Sequence, residues 1–288
     1  MNIVLLGAGG QLGRELQKNT THQLIALTHQ ALDISQLTVE SAVALLQQYS
    51  AQVVINAAAY TAVDKAEHEA EMAYAVNAKA VGILAQACEE AQVRLIHIST
   101  DYVFNGRAST PYQAHKDTGP LNVYGETKAL GEFLLFQHCA NAVCLRTSGL
   151  YAESGNNFVN TMLRVLADDK PVSVVNDQIS SPTYAADLAA VVWQIIEKPE
   201  INGFYHFSNA GQCSWFELAR YIQQLALAKG LLQQTCEILP VSSEEYGALA
   251  LRPAYSVLNS DETARILNIK PRDWQMALDE MLQKQCKE

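Results

Sequence analysis

Four glycines fall within seven residues near the start of this chain, in Gly7-Ala-Gly9-Gly10-Gln11-Leu12-Gly13, directly after the apolar run Ile3-Val-Leu-Leu6. A short branched stretch without polar alternation is the pattern of a strand buried on both faces of a parallel sheet. A glycine turn from such a strand into a helix aims backbone N–H groups and the positive helix end outward, where they can hold a pyrophosphate. The spacing is GxxGxxG at Gly7, Gly10 and Gly13, whereas GxGxxG fails because Leu12 stands at the sixth place. An isolated glycine cluster is as often a plain tight turn. Its position after a first buried strand makes this one a dinucleotide site.

The rest of the first half repeats the alternation. Segments 23–28, Val53–Asn56, 94–99 and 142–146 read as strands, and 38–49 and 71–90 carry apolar residues at helical spacing. That order predicts an α/β fold, a doubly wound parallel Rossmann-type sheet with a smaller, discontinuous α/β substrate-binding lobe. With 288 residues, 49% hydrophobic and 17% charged, the chain can fill both cores. After residue 150 the pattern mixes: 156–167 is helical, 171–175 strand-like and 184–197 helical, the last two reading as one more β-α unit of the first sheet. Segment 203–207 reads as a strand, Ser214 as N-cap of a helix over 215–229, and Ser260 as N-cap of Asp261–Leu267. The expected division is therefore 1–150 plus about 171–202 for the dinucleotide domain, and about 151–170 plus 203–288 for the second lobe.

Thirty acidic against twenty basic side chains give a formal charge of −10, which repels phosphate backbones and anionic lipid, so no nucleic-acid or membrane partner is expected. Apolar runs stop well short of the ~20 residues of a membrane span, and Met1-Asn2 leads straight into the first strand without a cationic signal region. Six cysteines without CxxC or His/Cys ligand spacing read as reduced, structural thiols with no metal. A cytoplasmic protein is expected. Glu15 and Glu132 leave a homodimer open, although solvated helix faces explain them better.

Tyr124-Gly-Glu-Thr-Lys128 places a phenol and an ammonium at i and i+4, on one face of a helix. A neighbouring ammonium and the positive nicotinamide ring favour the phenolate and bring a tyrosine toward useful acid-base chemistry near neutrality. With twelve tyrosines, such a YxxxK pair arises by chance about once in two chains, and Tyr112-Gln-Ala-His-Lys116 is a second one. That second pair follows Pro111 among loop-forming residues and is set aside. Thr100 ends the strand that precedes Tyr124, at the sheet edge where ligands of open α/β sheets bind, and its hydroxyl can reach a reacting carbonyl oxygen. The second strand ends in Thr28-His29-Gln30, without the acid that would favour NAD, so NADPH is preferred and NADH remains usable. Asp33 and Ile34 are placed beside the adenine, and Ala57, Ala58 and Ala59 beside the cofactor at the third strand.

The glycine loop, Asn56-Ala-Ala-Ala-Tyr-Thr-Ala-Val-Asp64, Ser99-Thr-Asp-Tyr-Val-Phe104, Tyr124–Lys128 and Arg252-Pro253 with Ser256 together resemble the extended short-chain dehydrogenase/reductases. The likeness continues through Asn156-Asn157-Phe158, Asn176-Asp177-Gln178, Pro182-Thr183 and 203–211, nearly the whole chain. It implies reduction of the 4-keto group of a dTDP-linked 6-deoxy-L-hexulose to dTDP-L-rhamnose, with Thr100, Tyr124 and Lys128 catalytic. It also implies cofactor contacts from Gly7, Gly10, Gln11, Leu12, Asp33, Ile34, Ala57, Ala58, Ala59, Tyr60 and Lys128. The nucleotide sugar would meet Val63, Thr100, Asp101, Tyr102, Tyr124, Asn157 and Arg252, the last suited to a bidentate grip on diphosphate. Two departures stand out. Gly149 occupies a place where the family commonly has Trp, which leaves room against the sugar, and Ser180 replaces a usual Gly. Among competing readings, a 4,6-dehydratase would need a carboxylate where Tyr102 stands. An epimerase shares the glycine loop and Tyr/Lys pair, and a non-catalytic regulator resembling the β subunit of methionine adenosyltransferase would not need Thr100, Tyr124 and Lys128.

Overall fold

β1 (Asn2–Leu6) lies inside a parallel sheet, with β2 (Gln23–Leu27) on one side and β3 (Val53–Asn56) on the other. Beyond β3 come β4 (Arg94–Thr100), β5 (Val143–Thr147) and, at the edge, the strand Gly203–His206, all parallel. This computed structural model describes residues 1–18, 20–168 and 170–286. Ile3, Val4 and Leu5 are wholly buried because helices cover both faces of the sheet, which is why their run does not alternate with polar residues. One face packs on helices Gln11–Leu16 and Ala185–Ile196, the other on Val39–Gln48, Ala80–Glu90 and Val123–His138. The strand order reverses between β1 and β3, and a crevice opens there at the carboxyl ends of the strands.

A second lobe gathers helices Phe158–Leu166, Trp215–Ala228 and Trp274–Gln285 around its own core. Two strand assignments differ from the sequence reading. The strand Val172–Val175 does not join the large sheet; it pairs in parallel with Ile238–Val241, and Val174 is buried in the second lobe's core. Conversely Gly203–His206, expected in the second lobe, extends the large sheet beside β5. Both strands are short and locally alike, so nothing within them specifies a partner. The helix Ala185–Ile196 does pack on the large sheet as expected, held in part by Arg94 of β4, whose guanidinium donates to the carbonyls of Ile195, Ile196, Lys198 and Ile201. These close the carbonyls left open at a helix C-terminus.

Local signals explain most helix ends. Ser214 and Glu217 form a capping box on Trp215–Ala228, and Asn122 accepts from the Gly125 N–H at 2.8 Å to start Val123–His138. Ser260 stands at the start of Asp261–Leu267 without capping it: its hydroxyl accepts from the Ser208 N–H instead, at 3.1 Å. The segment 71–90, read as one helix, is Ala70–Tyr74, a π-turn over Ala75–Lys79 and then Ala80–Glu90. In the π-turn, Asn77 binds both the N–H and C=O of Tyr60 and donates to the Thr127 hydroxyl. Among the described residues no helix is long and apolar enough to cross a membrane.

Glu132 is not on a solvated face. It is 2% exposed and grips Arg146 bidentately at 2.8 and 2.7 Å, while the guanidinium lies over the rings of Phe104 and Phe204. Glu15 is also buried, with Lys18 at 2.7 Å. A buried pair of this kind is costly to halve, since the surviving charge has no water to turn to. We expect Glu132→Ala to lower unfolding free energy by about 3–5 kcal/mol, read from urea denaturation at neutral pH.

Candidate active site

Backbone packing builds the first wall. Gly7 has φ +78°, and a Cβ there would sit 2.6 Å from the Ala57 carbonyl carbon; one on Gly13 would sit 2.2 Å from the Gly7 oxygen. Only glycine lets the turn lie this close to β3. A Cβ on Gly9, by contrast, would meet nothing nearer than the Thr28 side chain at 3.7 Å, an ordinary contact, so backbone does not close this side of the loop. The turn borders a cavity of about 780 Å³, with Gly10, Gln11, Leu12, Ala57 and Ala59 in its lining. Other residues expected on the cofactor are placed differently. Gly7 shapes the turn from beneath without lining the cavity, and Ala58 packs toward the core with its N–H on Asn56 Oδ1. Tyr60 turns its hydroxyl onto Glu69 at 2.6 Å, and that carboxylate pushes the phenol up to about 12. Asp33 accepts from the Ser35 N–H and hydroxyl, and Ile34 is 4% exposed in the core; neither lines the cavity.

The second wall holds the reacting groups. Thr100 at the end of β4, Tyr124 in the first turn of Val123–His138 and Lys128 one turn later all line the same cavity. The Tyr124 and Tyr102 rings meet edge to face at 5.8 Å. Burial pushes the Tyr124 phenol up to about 12; a hydrogen bond with Thr100 opposes the rise and the Asp101 carboxylate adds to it. The sequence argument expected Lys128 to favour a phenolate, but its amine is directed elsewhere. Nζ donates to the Ile98 carbonyl at 2.7 Å and lies 3.2 Å from His97 Nε2, and no hydrogen bond joins it to Tyr124 among the described residues. Burial lowers Lys128 to about 8. The rejected pair lies outside: Tyr112 stacks on Phe104 at 4.1 Å and donates to Asn105.

On the substrate side, Val63, Asp101, Tyr102 and Arg252 line the cavity. Arg252 grips Asp64 through Nη1 at 3.1 Å and Nη2 at 2.6 Å, and a third N–H goes to the Ala250 carbonyl. The bidentate fork expected for diphosphate is thus taken by a carboxylate of this chain. Asn157 does not line the cavity, although Asn156 and Phe158 do. Its oxygen caps Phe158–Leu166 through the Asn160 N–H, and its nitrogen donates to Gln11 and to the Ala152 carbonyl. Gly149 lines the cavity at φ +51°, a backbone that itself disfavours a large side chain. Sequence reasoning did not single out Ser99 and Thr147, whose buried hydroxyls line the cavity and have no hydrogen-bond partner among the described residues. They stand at or next to the carboxyl ends of adjacent strands, Thr147 last in β5 and Ser99 one before the end of β4, the signal that could have found them.

A dinucleotide fits these walls: Gly7 carries no Cβ to push the loop off β3, a Cβ on Gly9 would meet only the Thr28 side chain at ordinary contact distance, and the hydroxyls of Ser99 and Thr147 have no partner among the described residues. A doubly wound parallel sheet with a phenol and an amine one helical turn apart beside its crevice defines an NAD(P)H-dependent oxidoreductase. Residues 1–286 match the family model of the RmlD substrate binding domain, and the chain belongs to that family. It is 40% identical over 285 residues to a dTDP-4-dehydrorhamnose reductase of Aggregatibacter actinomycetemcomitans, with 96% of each chain covered. It is likewise 40% identical to a spore coat polysaccharide biosynthesis protein of Bacillus subtilis, covering 98% of this chain and 96% of that one. The solved structure of a Bacillus anthracis dTDP-4-dehydrorhamnose reductase in complex with NADP is similar at TM-score 0.91 and 36% identity, over 98% of both chains.

Burial of Asp101 raises its carboxyl to about 6, against opposing hydrogen bonds from Ser256 and Thr100. Because the folded value exceeds the unfolded one, the native state holds the proton more tightly, and stability falls as pH rises from about 4 to 6. Asp101→Asn should therefore be more stable than the parent at pH 7.5 by about 1–3 kcal/mol. The advantage should vanish below about pH 4, as read from urea midpoints across that range.

Proposed function

We propose that this chain reduces the 4-keto group of dTDP-4-dehydrorhamnose to dTDP-L-rhamnose with NADPH, and with NADH as a weaker donor. The observation that carries the reading is the convergence of Thr100, Tyr124 and Lys128 on one cavity whose opposite wall is the glycine turn. Relatives that carry this activity in their names align along nearly the entire chain, which supports the same substrate. The absence of an acid at the end of β2, together with Asp33 being tied to Ser35, supports NADPH over NADH.

The Gly10–Leu12 backbone would hold the pyrophosphate, Ala57 and Ala59 would flank the nucleotide, and Lys128 would hold the nicotinamide ribose. When bound, the cofactor supplies a hydride to the sugar carbonyl carbon. Tyr124, kept a neutral phenol by burial, holds a proton that its hydroxyl passes to the sugar oxygen as negative charge gathers there. Thr100 steadies that charge by hydrogen bonding. Asp64, the Ala250 carbonyl and Tyr102 hold Arg252 at the rim, where its positive charge would face the anionic part of the substrate. Tyr102 stands where a dehydratase needs a carboxylate base, and burial raises its phenol too far to serve as one. Net reduction is thus favoured over dehydration.

Steady-state NADPH oxidation with the 4-keto-L-sugar nucleotide tests the reading. We expect Tyr124→Phe to lower kcat by roughly 10²–10⁴-fold with NADPH affinity near the parent's. Tyr112→Phe should retain parental turnover. Equal rates for Tyr124→Phe and parent, or epimer interconversion by the parent without net NADPH consumption, would exclude the reductase assignment.

A further inference from the structure

Beneath the cavity, Lys128 belongs to a file of three polar residues, each at most 1% exposed: Asn56 on β3, His97 on β4 and Lys128 on the helix Val123–His138. Asn56 Nδ2 lies 3.1 Å from His97 Nδ1, and His97 Nε2 lies 3.2 Å from Lys128 Nζ. The far end of the file has a defined direction. Asn56 Oδ1 accepts from the Ala58 N–H at 3.2 Å, so the amide nitrogen is the group turned to the imidazole.

An amide nitrogen only donates, and His97 Nδ1 must then accept. A neutral imidazole carries one proton, which this arrangement puts on Nε2, facing Lys128. Burial and the nearby lysine hold His97 well below its ordinary range, so the ring does not escape the constraint by taking a second proton. Against an Nε2–H, an ammonium would set N–H against N–H, whereas a neutral amine offers a lone pair and still donates to the Ile98 carbonyl at 2.7 Å.

The geometry points to His97 as a positioning residue for the reduction, holding Nζ of Lys128 by a hydrogen bond whose direction Asn56 sets through the imidazole tautomer. This deepens the reductase reading above and rests on it for its catalytic meaning. The file disfavours a proton on Lys128, in the same direction as burial, which by itself brings the amine to about 8. The other titratable groups facing Lys128 are Cys144 on β5 and Glu132 on its own helix, and Glu132 is committed to Arg146. Neither lies in the file, so the polarity argument concerns Asn56 and His97 alone.

Replacing the donor at position 56 by an acceptor should reverse the file. In Asn56→Asp the carboxylate would accept a hydrogen bond from a protonated Nδ1, leaving Nε2 bare to accept from a Lys128 ammonium. The first measurement uses free parent protein, without cofactor or substrate: the ¹⁵N shifts of His97 should report a bare Nδ1 and a protonated Nε2, and the opposite tautomer overturns the proposal. The second is the pH dependence of NADPH affinity and of kcat/KM, with melting temperature as the check on folding. Asn56→Asp should move the alkaline limb up by about one pH unit or more. That shift should largely disappear when His97→Leu is added, because the route from position 56 to the amine is then cut. A limb that does not move, or a shift that survives His97→Leu, shows that Asn56 does not act through His97 and overturns the proposal. The tautomer and NADPH affinity are read without turnover, so a failure of the sugar-reductase reading would be seen separately, in the parent's lack of activity.

Discussion

The close approach of the first turn to the end of β3 governs what this molecule can do. Gly7 and Gly13 have no space for a single added carbon, and the contacts that exclude it are backbone atoms of Ala57, Ala58, Gly7 and Ala8, which cannot move aside cheaply. That contact keeps the carboxyl ends of β1 and β3 together at the point where strand order reverses. The crevice, the exposed N–H groups of the loop and the position of Thr100 across the sheet all follow from it.

Burial then decides protonation. The reacting side chains sit where water is scarce, so the phenol of Tyr124 keeps its proton, the carboxyl of Asp101 binds one more tightly than an exposed acid, and the amine of Lys128 gives one up more readily. A proton donor for reduction needs the first of these. The charges are also kept apart. The buried Arg146 is neutralised by Glu132, and Arg252 at the rim is held by Asp64. In both pairs a guanidinium is matched to a carboxylate in fork geometry, which leaves little unbalanced charge near the reacting groups.

Much of this was legible in the chain. The branched run before Gly7, the capping residue Ser214, and the i, i+4 spacing of Tyr124 and Lys128 are local features whose meaning depends on a few neighbours. Discrimination between the two YxxxK pairs was also local, since Tyr112 follows a proline and Tyr124 begins a helix. Asp33, Tyr60 and Asn157, expected at the ligands, each have polar partners within this chain that their sequence neighbourhood does not announce. Arg252 lines the cavity as expected, yet its fork is filled by a residue 188 positions away.

The sequence by itself determined most strands and helices of the first half, where the dinucleotide loop lies and which phenol and amine share a helical face, because periods of two and 3.6 residues and the steric demands of glycine act over short stretches. Only the tertiary structure decided that Val172–Val175 pairs with Ile238–Val241, that Gly203–His206 closes the large sheet, and that Lys128 turns to His97 rather than to Tyr124. Strand partners and buried hydrogen bonds join residues far apart in the chain, and they are settled by which packing leaves no polar group stranded and no cavity unfilled.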